Sequence, residues 1–368
     1  MVEYDDYGPE KIIEVYHPKT GMRGFVVIDN TALGPGKGGI RMTPSVSMEE
    51  VARLARAMTW KCSLAGLPFG GAKSGIIANP KEMNAKQKED YIRAFGQAIK
   101  IVCPSMYVAA PDINTAEHEM EVLAKAVGTL KACTGKPRKM KGIPHELGST
   151  GFGVFHATIV AAPFAKINLK NATVAVEGFG NVGEFAAKFL VEYGAKLVAV
   201  SDSKGVVYNV HGLDFERLKT IKKRHGTVTA YSPGEIMPNK SIITLPVDVL
   251  ITAAVPDLIK EEDVPSIGAK LIVCGSNIPM TTKGEQLLHE KGILVVPDFV
   301  ANAGGVISSY VEYTGGTPEK MFMLVKQKLV TNTRLVLDAA KKKKIKPRDA
   351  AQELAVKRVL AKCKTCRK

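Results

Sequence analysis

Three lysines stand where an ordinary solvated lysine is not expected. Lys37 lies in Gly34-Pro-Gly-Lys37-Gly-Gly-Ile-Arg-Met42, Lys61 ends Met58-Thr-Trp-Lys61, and Lys73 lies in Leu67-Pro-Phe-Gly-Gly-Ala-Lys73-Ser-Gly75. Glycine lets backbone pack closely, so a lysine among glycines can be stripped of water. Burial and neighbouring cations then lower an amine's pKa into the range where it exchanges protons near neutrality. Each lysine alone reads equally well as surface charge; the grouping is what argues for a site.

A second constellation is Gly178-Phe-Gly180-Asn181-Val182-Gly183. The GxGxxG pattern alone is weak evidence. Here it follows the apolar run Thr173-Val-Ala-Val-Glu177 and opens an amphipathic stretch with Phe185, Ala186, Phe189, Leu190 and Tyr193, which is the strand–turn–helix context that a dinucleotide site requires. Gly178 permits the tight turn, Gly180 lets backbone approach a pyrophosphate, and Gly183 lets the helix pack close to the sheet. The helix N-terminus supplies unpaired N–H groups for the anion. Asp202 ends the next apolar run, Leu197–Ser201, 24 residues after Gly178, where a carboxylate meets the adenosine ribose hydroxyls. That carboxylate favours NAD. Ser203 and Lys204 could still hold a 2′-phosphate, so NAD and NADP both stay open.

The elements that must position these residues can be read from period and punctuation. Residues 12–17 and 24–29 read as strands joined by a Pro-Lys-Thr-Gly turn. Gly34 to Gly39 and Gly66 to Gly75 read as glycine-rich loops. Ser47-Met-Glu-Glu50 is a capping box, and Val51, Leu54, Ala55 and Met58 follow at helical spacing, with Lys61 emerging near the helix end. Residues 85–101 predict a second amphipathic helix, and Tyr107-Val-Ala-Ala110 a strand ending at Pro111-Asp112. Beyond 170, short strands (197–201, 247–251, 271–274, 293–296) alternate with helical stretches, the pattern of a parallel doubly wound sheet. Residues 320–361 predict one or two helices. The expected fold is α/β in two domains: an N-terminal α/β substrate domain over 1–150, with helices in 335–368 folding back onto it, and a Rossmann-type domain over 151–334.

Composition narrows the function classes. At 368 residues the chain is too long for one ordinary core. Its formal charge of +15 would suit an anionic partner, but the excess gathers in Lys341–Lys344 and the tail, with no interleaved aromatics. That reads as a solvated face rather than a nucleic-acid surface. Six scattered cysteines read as free thiols of a reducing compartment, since the Cys363-Lys-Thr-Cys366 pair has no second CxxC to complete a zinc site. The polar, acidic start is no signal peptide, and no apolar run reaches the ~20 residues of a membrane span. A cytoplasmic protein with no metal follows.

The lysine segments, taken with Pro111-Asp112-Ile-Asn-Thr115, Ser149-Thr-Gly-Phe-Gly-Val154, the glycine fingerprint, Val200-Ser-Asp-Ser-Lys-Gly205 and Pro297-Asp-Phe-Val-Ala-Asn-Ala-Gly-Gly-Val306, resemble the glutamate/leucine/phenylalanine/valine dehydrogenase family, its glutamate-using members above all. The likeness covers nearly the whole chain. It implies that Lys73 activates water and polarises the substrate carbon, that Asp112 shuttles a proton to and from the amine, and that Lys61 binds the α-carboxylate. It implies that Lys37 and Ser309 hold a side-chain carboxylate, that Thr150 and Asn277 lie near the nicotinamide, and that Asn181 belongs to the cofactor loop. Physical chemistry agrees about Lys37: a buried lysine with no anionic partner is costly, so a pocket for apolar substrates would not keep one. The implied reaction is NAD(P)-dependent oxidative deamination of L-glutamate to 2-oxoglutarate and ammonia, reversible, in a homo-oligomer of six chains, at a cleft between the domains.

The sequence also departs from the family. Glu146 stands where an arginine is usual, Cys274-Gly-Ser-Asn277 replaces Gly-Ala-Asn, and the chain starts shortly before the first strand, without most of the usual N-terminal helical extension. Two alternatives remain: a leucine-, valine- or phenylalanine-type dehydrogenase with the same chemistry, and a catalytically silent regulator that binds nucleotide or nucleic acid.

Overall fold

The structure, a computed structural model, describes residues 2–367. Contacts divide the chain into two compact units. The first comprises the stretch up to Leu147, Val306–Met321 and the stretch from Gln352; the second comprises Gly148–Gly305 and Phe322–Ala351.

The first unit is built on five strands, β1 (Lys11–His17), β2 (Met22–Asn30), β3 (Gly36–Thr43), β4 (Gly70–Ile77) and β5 (Tyr107–Pro111), in the order β1-β2-β4-β3-β5. β1, β2 and β4 pair antiparallel, whereas β3 pairs parallel with both β4 and β5. Helices α1 (Met48–Leu64), α2 (Ala85–Ile99) and α3 (Glu117–Val127) cover the sheet. Ser47 caps α1 by accepting from the Glu50 N–H, as its spacing predicts, and Asn84 and Gln87 form a capping box at α2.

The two glycine-rich stretches expected as loops are strands β3 and β4. Glycine is usually depleted from strands, so its presence here needs a cause. Lys37 lies opposite Gly71 in the ladder. Strand alternation therefore puts Lys37, Gly39 and Arg41 of β3 on one face with Gly71, Lys73 and Gly75 of β4. That face lies against α1: a Cβ on Gly71 would sit 2.1 Å from Thr59 Oγ1 and 2.2 Å from the Thr59 nitrogen. The alternate residues Ile40, Met42, Ala72 and Ile76 enter the main core, packed with Ile92, Phe95, Met120 and Leu123. Glycine thus lets a helix approach the strand that carries Lys73. Gly71→Ala should lower unfolding free energy by about 3 kcal/mol, because the obstacle is backbone. A urea midpoint unchanged from wild type would contradict this reading of the strand.

The second unit opens with α4 (Ser149–Ala161), followed by β6 (Thr173–Glu177), α5 (Asn181–Tyr193), β7 (Lys196–Asp202), β8 (Gly205–Tyr208), α6 (Phe215–His225) and β9 (Glu235–Met237). After these come β10 (Val249–Thr252), β11 (Leu271–Cys274), α7 (Thr282–Glu290), β12 (Leu294–Val296) and α8 (Asp298–Ala301). The sheet order is β12-β11-β10-β6-β7-β8-β9. Strands β12 through β7 are parallel, and β8 and β9, which the sequence did not reveal, extend the edge antiparallel. Successive connections leave β6 in opposite directions, to β7 on one side and β10 on the other. The carboxyl ends of β6 and β10 therefore flank the switch point at which open α/β sheets bind ligands. The chain ends in α9 (Gly304–Tyr313), α10 (Pro318–Lys343) and α11 (Pro347–Leu360).

Cys363 and Cys366 are joined as a disulfide, which corrects the expectation of six free thiols; Cys62, Cys103, Cys133 and Cys274 are free and buried. No helix among the described residues is long and apolar enough to cross a membrane.

Candidate active site

β4 delivers Lys73 and the end of β5 delivers Asp112 to the same place. Lys73 Nζ lies 2.9 Å from Asp112 Oδ2, which also accepts from Arg41 Nε at 2.9 Å. Arg41 in turn pairs with Glu50. The Asp112 backbone N–H donates to Thr115 Oγ1 at 2.9 Å, and that hydroxyl donates to the Ile40 carbonyl at 2.7 Å, so the turn after β5 is braced against β3. Gly39 makes room: a Cβ there would lie 2.8 Å from Asp112 Cβ and 3.3 Å from Lys73 Nζ. Lys73 is buried, at 8% exposure. Burial lowers its pKa; the Asp112 carboxylate pulls the other way, and Arg41 adds to the lowering. Burial also opposes the charged form of Asp112, but Lys73 and Arg41 outweigh it and hold its carboxyl below the ordinary range. The result is a desolvated amine in contact with an ionised carboxylate, a pairing suited to moving protons.

Lys37 shares that sheet face and is 1% exposed. Its ammonium donates to the carbonyls of Ala109 at 2.7 Å and Val108 at 3.3 Å, and burial lowers its pKa to about 8. Lys61 sits half-buried in the last turn of α1, and Ser309 half-buried on α9. The structure therefore groups Lys73 and Asp112 by direct contact, while Lys37 holds separate backbone partners.

In the second unit, Gly178 turns the chain with φ +88°, and a Cβ on Gly183 would lie 1.8 Å from the Gly178 carbonyl oxygen. A Cβ on Gly180 would meet nothing within 4 Å, so open space lies over the α5 N-terminus. Buried Glu177 accepts from Ala253 and Ala254 N–H at 3.0 Å, joining the ends of β6 and β10. A cavity of about 540 Å³ opens there, lined among others by Gly178, Gly180, Asp202, Ser203 and Lys222. Asp202 accepts from Val228 N–H at 2.8 Å and Lys204 N–H at 2.9 Å and pairs with Lys222. Burial opposes its charge, but these donors prevail and keep its carboxyl below the usual range. Exposed Asn277 has its side-chain oxygen held by Asn302 Nδ2 at 2.8 Å. A Cβ on Gly305 would lie 3.0 Å from the hydroxyl of Thr150, which stands in the first turn of α4. An open glycine turn, a helix N-terminus and a carboxylate at the end of the next strand fit a dinucleotide.

Residues 142–365 match the family model "Glutamate/Leucine/Phenylalanine/Valine dehydrogenase", and residues 9–129 match that family's dimerisation domain. The chain belongs to the glutamate/leucine/phenylalanine/valine dehydrogenase family. It is 41% identical to a glutamate dehydrogenase of Aeropyrum pernix, over 98% of this chain and 93% of that one. It is 38% identical to an NADP-specific glutamate dehydrogenase of Saccharolobus shibatae, over 96% and 88%. Its fold superposes on a hetero-hexameric glutamate dehydrogenase of Thermus thermophilus, solved with leucine bound, with TM-score 0.84 and 26% identity over 96% and 89%.

Several residues of this family member escaped sequence reasoning. Arg41 stands inside the Lys37 segment, yet only the fold shows it sharing Asp112 with Lys73. Lys222 sits in the basic run Lys222-Lys223-Arg224-His225, which reads as a solvated helix end. Asn302 reads as part of a turn. Exposed Glu146, the departure noted above, lies on a short 3₁₀ turn, His145–Leu147.

Proposed function

We propose that this dehydrogenase oxidatively deaminates L-glutamate with NAD+ or NADP+, giving 2-oxoglutarate and ammonia reversibly. The observation that carries the proposal is the 2.9 Å contact of buried Lys73 with Asp112, on a sheet face shared with Lys37. The first unit is the substrate unit and the second the cofactor unit.

An ammonium has three N–H donors. Two of Lys37's face Ala109 and Val108, and the third takes the substrate's side-chain carboxylate, with Ser309 beside it. Lys61 takes the α-carboxylate. Asp112 accepts a proton from the substrate ammonium, because only the neutral amine can support loss of hydride from Cα. The cofactor, when bound, supplies the hydride acceptor; Gly178, Gly180, Val182, Gly183, Asn181, Asp202 and Ser203 would hold its adenosine and pyrophosphate end, and Thr150 and Asn277 its nicotinamide end. Lys73, as the free amine, takes a proton from the water that attacks the resulting iminium carbon. Asp112 returns its proton to nitrogen and takes the carbinolamine's hydroxyl proton in exchange, so the C–N bond breaks as the carbonyl forms, and ammonia leaves. We read the working state as a homo-oligomer, a hexamer, in keeping with the match to the dimerisation domain.

Initial rates for glutamate, leucine, valine and phenylalanine, each with NAD+ and NADP+, test the proposal. Glutamate should exceed the others in kcat/KM by about 100-fold or more, since a site built around a buried cation rejects substrates that leave it unpaired. A preference for any apolar amino acid would overturn it.

Lys222 neutralises Asp202 at the cavity, which removes the repulsion that a lone carboxylate would exert on a 2′-phosphate. Lys222→Ala should therefore reduce kcat/KM with NADP+ by about tenfold or more, one charge-assisted hydrogen bond, and change that with NAD+ much less. Equal losses with both cofactors would refute this role.

A further inference from the structure

The glutamate reading leaves unused the most deeply buried ion pair among the described residues of the first unit. Glu312 lies one turn beyond Ser309 on α9, and Lys136 lies between β5 and α4. Their side chains are 2% and 5% exposed, with Lys136 Nζ 2.5 Å from Glu312 Oε1. Glu312 also accepts from the backbone N–H of Lys136 at 3.4 Å and, through Oε2, from those of Gly135 and Ile143 at 3.0 Å each. Lys136 Nζ donates to the Cys133 carbonyl at 2.6 Å. The chain next to these residues is stitched to β5: Cys133 bridges Ala109, and the Thr134 N–H donates to the Ala109 carbonyl at 3.0 Å. That same carbonyl accepts from Lys37 Nζ at 2.7 Å. One continuous set of hydrogen bonds therefore runs from the helix that carries Ser309 to the carbonyl that holds Lys37.

We infer that Glu312 and Lys136 are positioning residues for the side-chain carboxylate subsite, fixing Ser309 and Lys37 in one frame. The inference rests on the glutamate reading. A buried ion pair is weak evidence for stability, because apolar residues of similar volume often serve as well or better. Alignment of two groups that share one small ligand is a use that such a replacement would not reproduce. The pair also sets the charge around Lys37. Its titratable neighbours are Cys133, Cys62, Glu312 and Lys136; Glu312 supports its protonated form and Lys136 opposes it. The cysteine thiols, both pushed up to about 12 by burial, stay neutral in the working range.

Glu312→Gln removes the charge and nearly keeps the shape. The glutamate KM should rise about tenfold, the scale of a slightly misplaced ligand group, with kcat changed less than about threefold. kcat/KM with L-norvaline, which lacks the side-chain carboxylate, should stay within about twofold of wild type, which also reports an intact fold. Binding of the carboxylate needs protonated Lys37, so kcat/KM for glutamate falls as pH rises through about 8 in the wild type. In Glu312→Gln that fall should begin at lower pH, because Lys136 is left unbalanced. A purely structural staple would not move it. If Glu312→Gln does not fold, Glu312→Asp keeps the charge but shortens the reach, and should raise the glutamate KM with the pH limb unmoved. Equal losses for glutamate and norvaline, or an unchanged KM and pH limb, would overturn this inference while leaving the glutamate reading intact. A wild-type enzyme that prefers norvaline would overturn the substrate reading, and this inference with it.

Discussion

Lys73→Ala should lower kcat by about 10⁴-fold while cofactor affinity stays at the wild-type level. Among the described residues Lys73 is the only amine in contact with Asp112; the other cation there is the Arg41 guanidinium. A guanidinium stays protonated throughout the working range, so it cannot take a proton from water. Removing Lys73 therefore deletes the base and leaves Asp112 paired with a group that only holds its charge. Asp112 would remain ionised, so the variant should still deprotonate substrate ammonium but fail at hydration of the iminium. The cavity proposed for the dinucleotide is lined by residues between Glu177 and Leu258, remote in sequence from Lys73, which is why cofactor affinity should not change. Turnover within about tenfold of wild type would remove Lys73 from the chemistry.

Lys37→Leu should lower kcat/KM for glutamate by about 10³-fold, because it strands the substrate's side-chain carboxylate in a buried site. The same change should improve the use of amino acids with apolar side chains, whose entry now leaves no buried cation unpaired. Stability should not suffer. Lys37 is 1% exposed and, among the described residues, its ammonium is held only by two carbonyls, one of which keeps the Thr134 N–H as a partner. Replacing a buried charge of this kind by a hydrocarbon is often neutral or stabilising by about 1 kcal/mol. An unfolding midpoint at or above that of the wild type, alongside the switched preference, is the expected result. Equal losses for glutamate and leucine would show that Lys37 serves the fold and not specificity.

The fold was legible where periodicity is undisturbed and illegible where close packing inverts residue preference. The Ser47 cap, α2, β5 and the strand–turn–helix around Gly178 all follow local rules that the structure keeps. β3 and β4 do not, because their glycines are selected by the approach of α1, a contact between distant segments. Lys73 could be singled out by its odd surroundings, but its strand could not. Arg41 and Lys222 form contacts across 71 and 20 residues of chain, to Asp112 and Asp202, and no local pattern predicts such pairs. Glu312 looks like a surface acid in Tyr-Val-Glu312-Tyr until the N–H groups of Gly135 and Ile143 are seen to end on it. The edge strands β8 and β9 are short, and their turn signals had no partner to be read against.

The division of labour between Lys73 and Asp112 is tested most directly by a double-mutant cycle on kcat, with Lys73→Ala, Asp112→Asn and the pair measured with glutamate at saturating cofactor. Residues that act as one proton-handling unit are strongly non-additive. Each single variant should therefore lose nearly as much as the double variant. Losses that multiply, or a double variant that still turns over at close to the wild-type rate, would contradict the account.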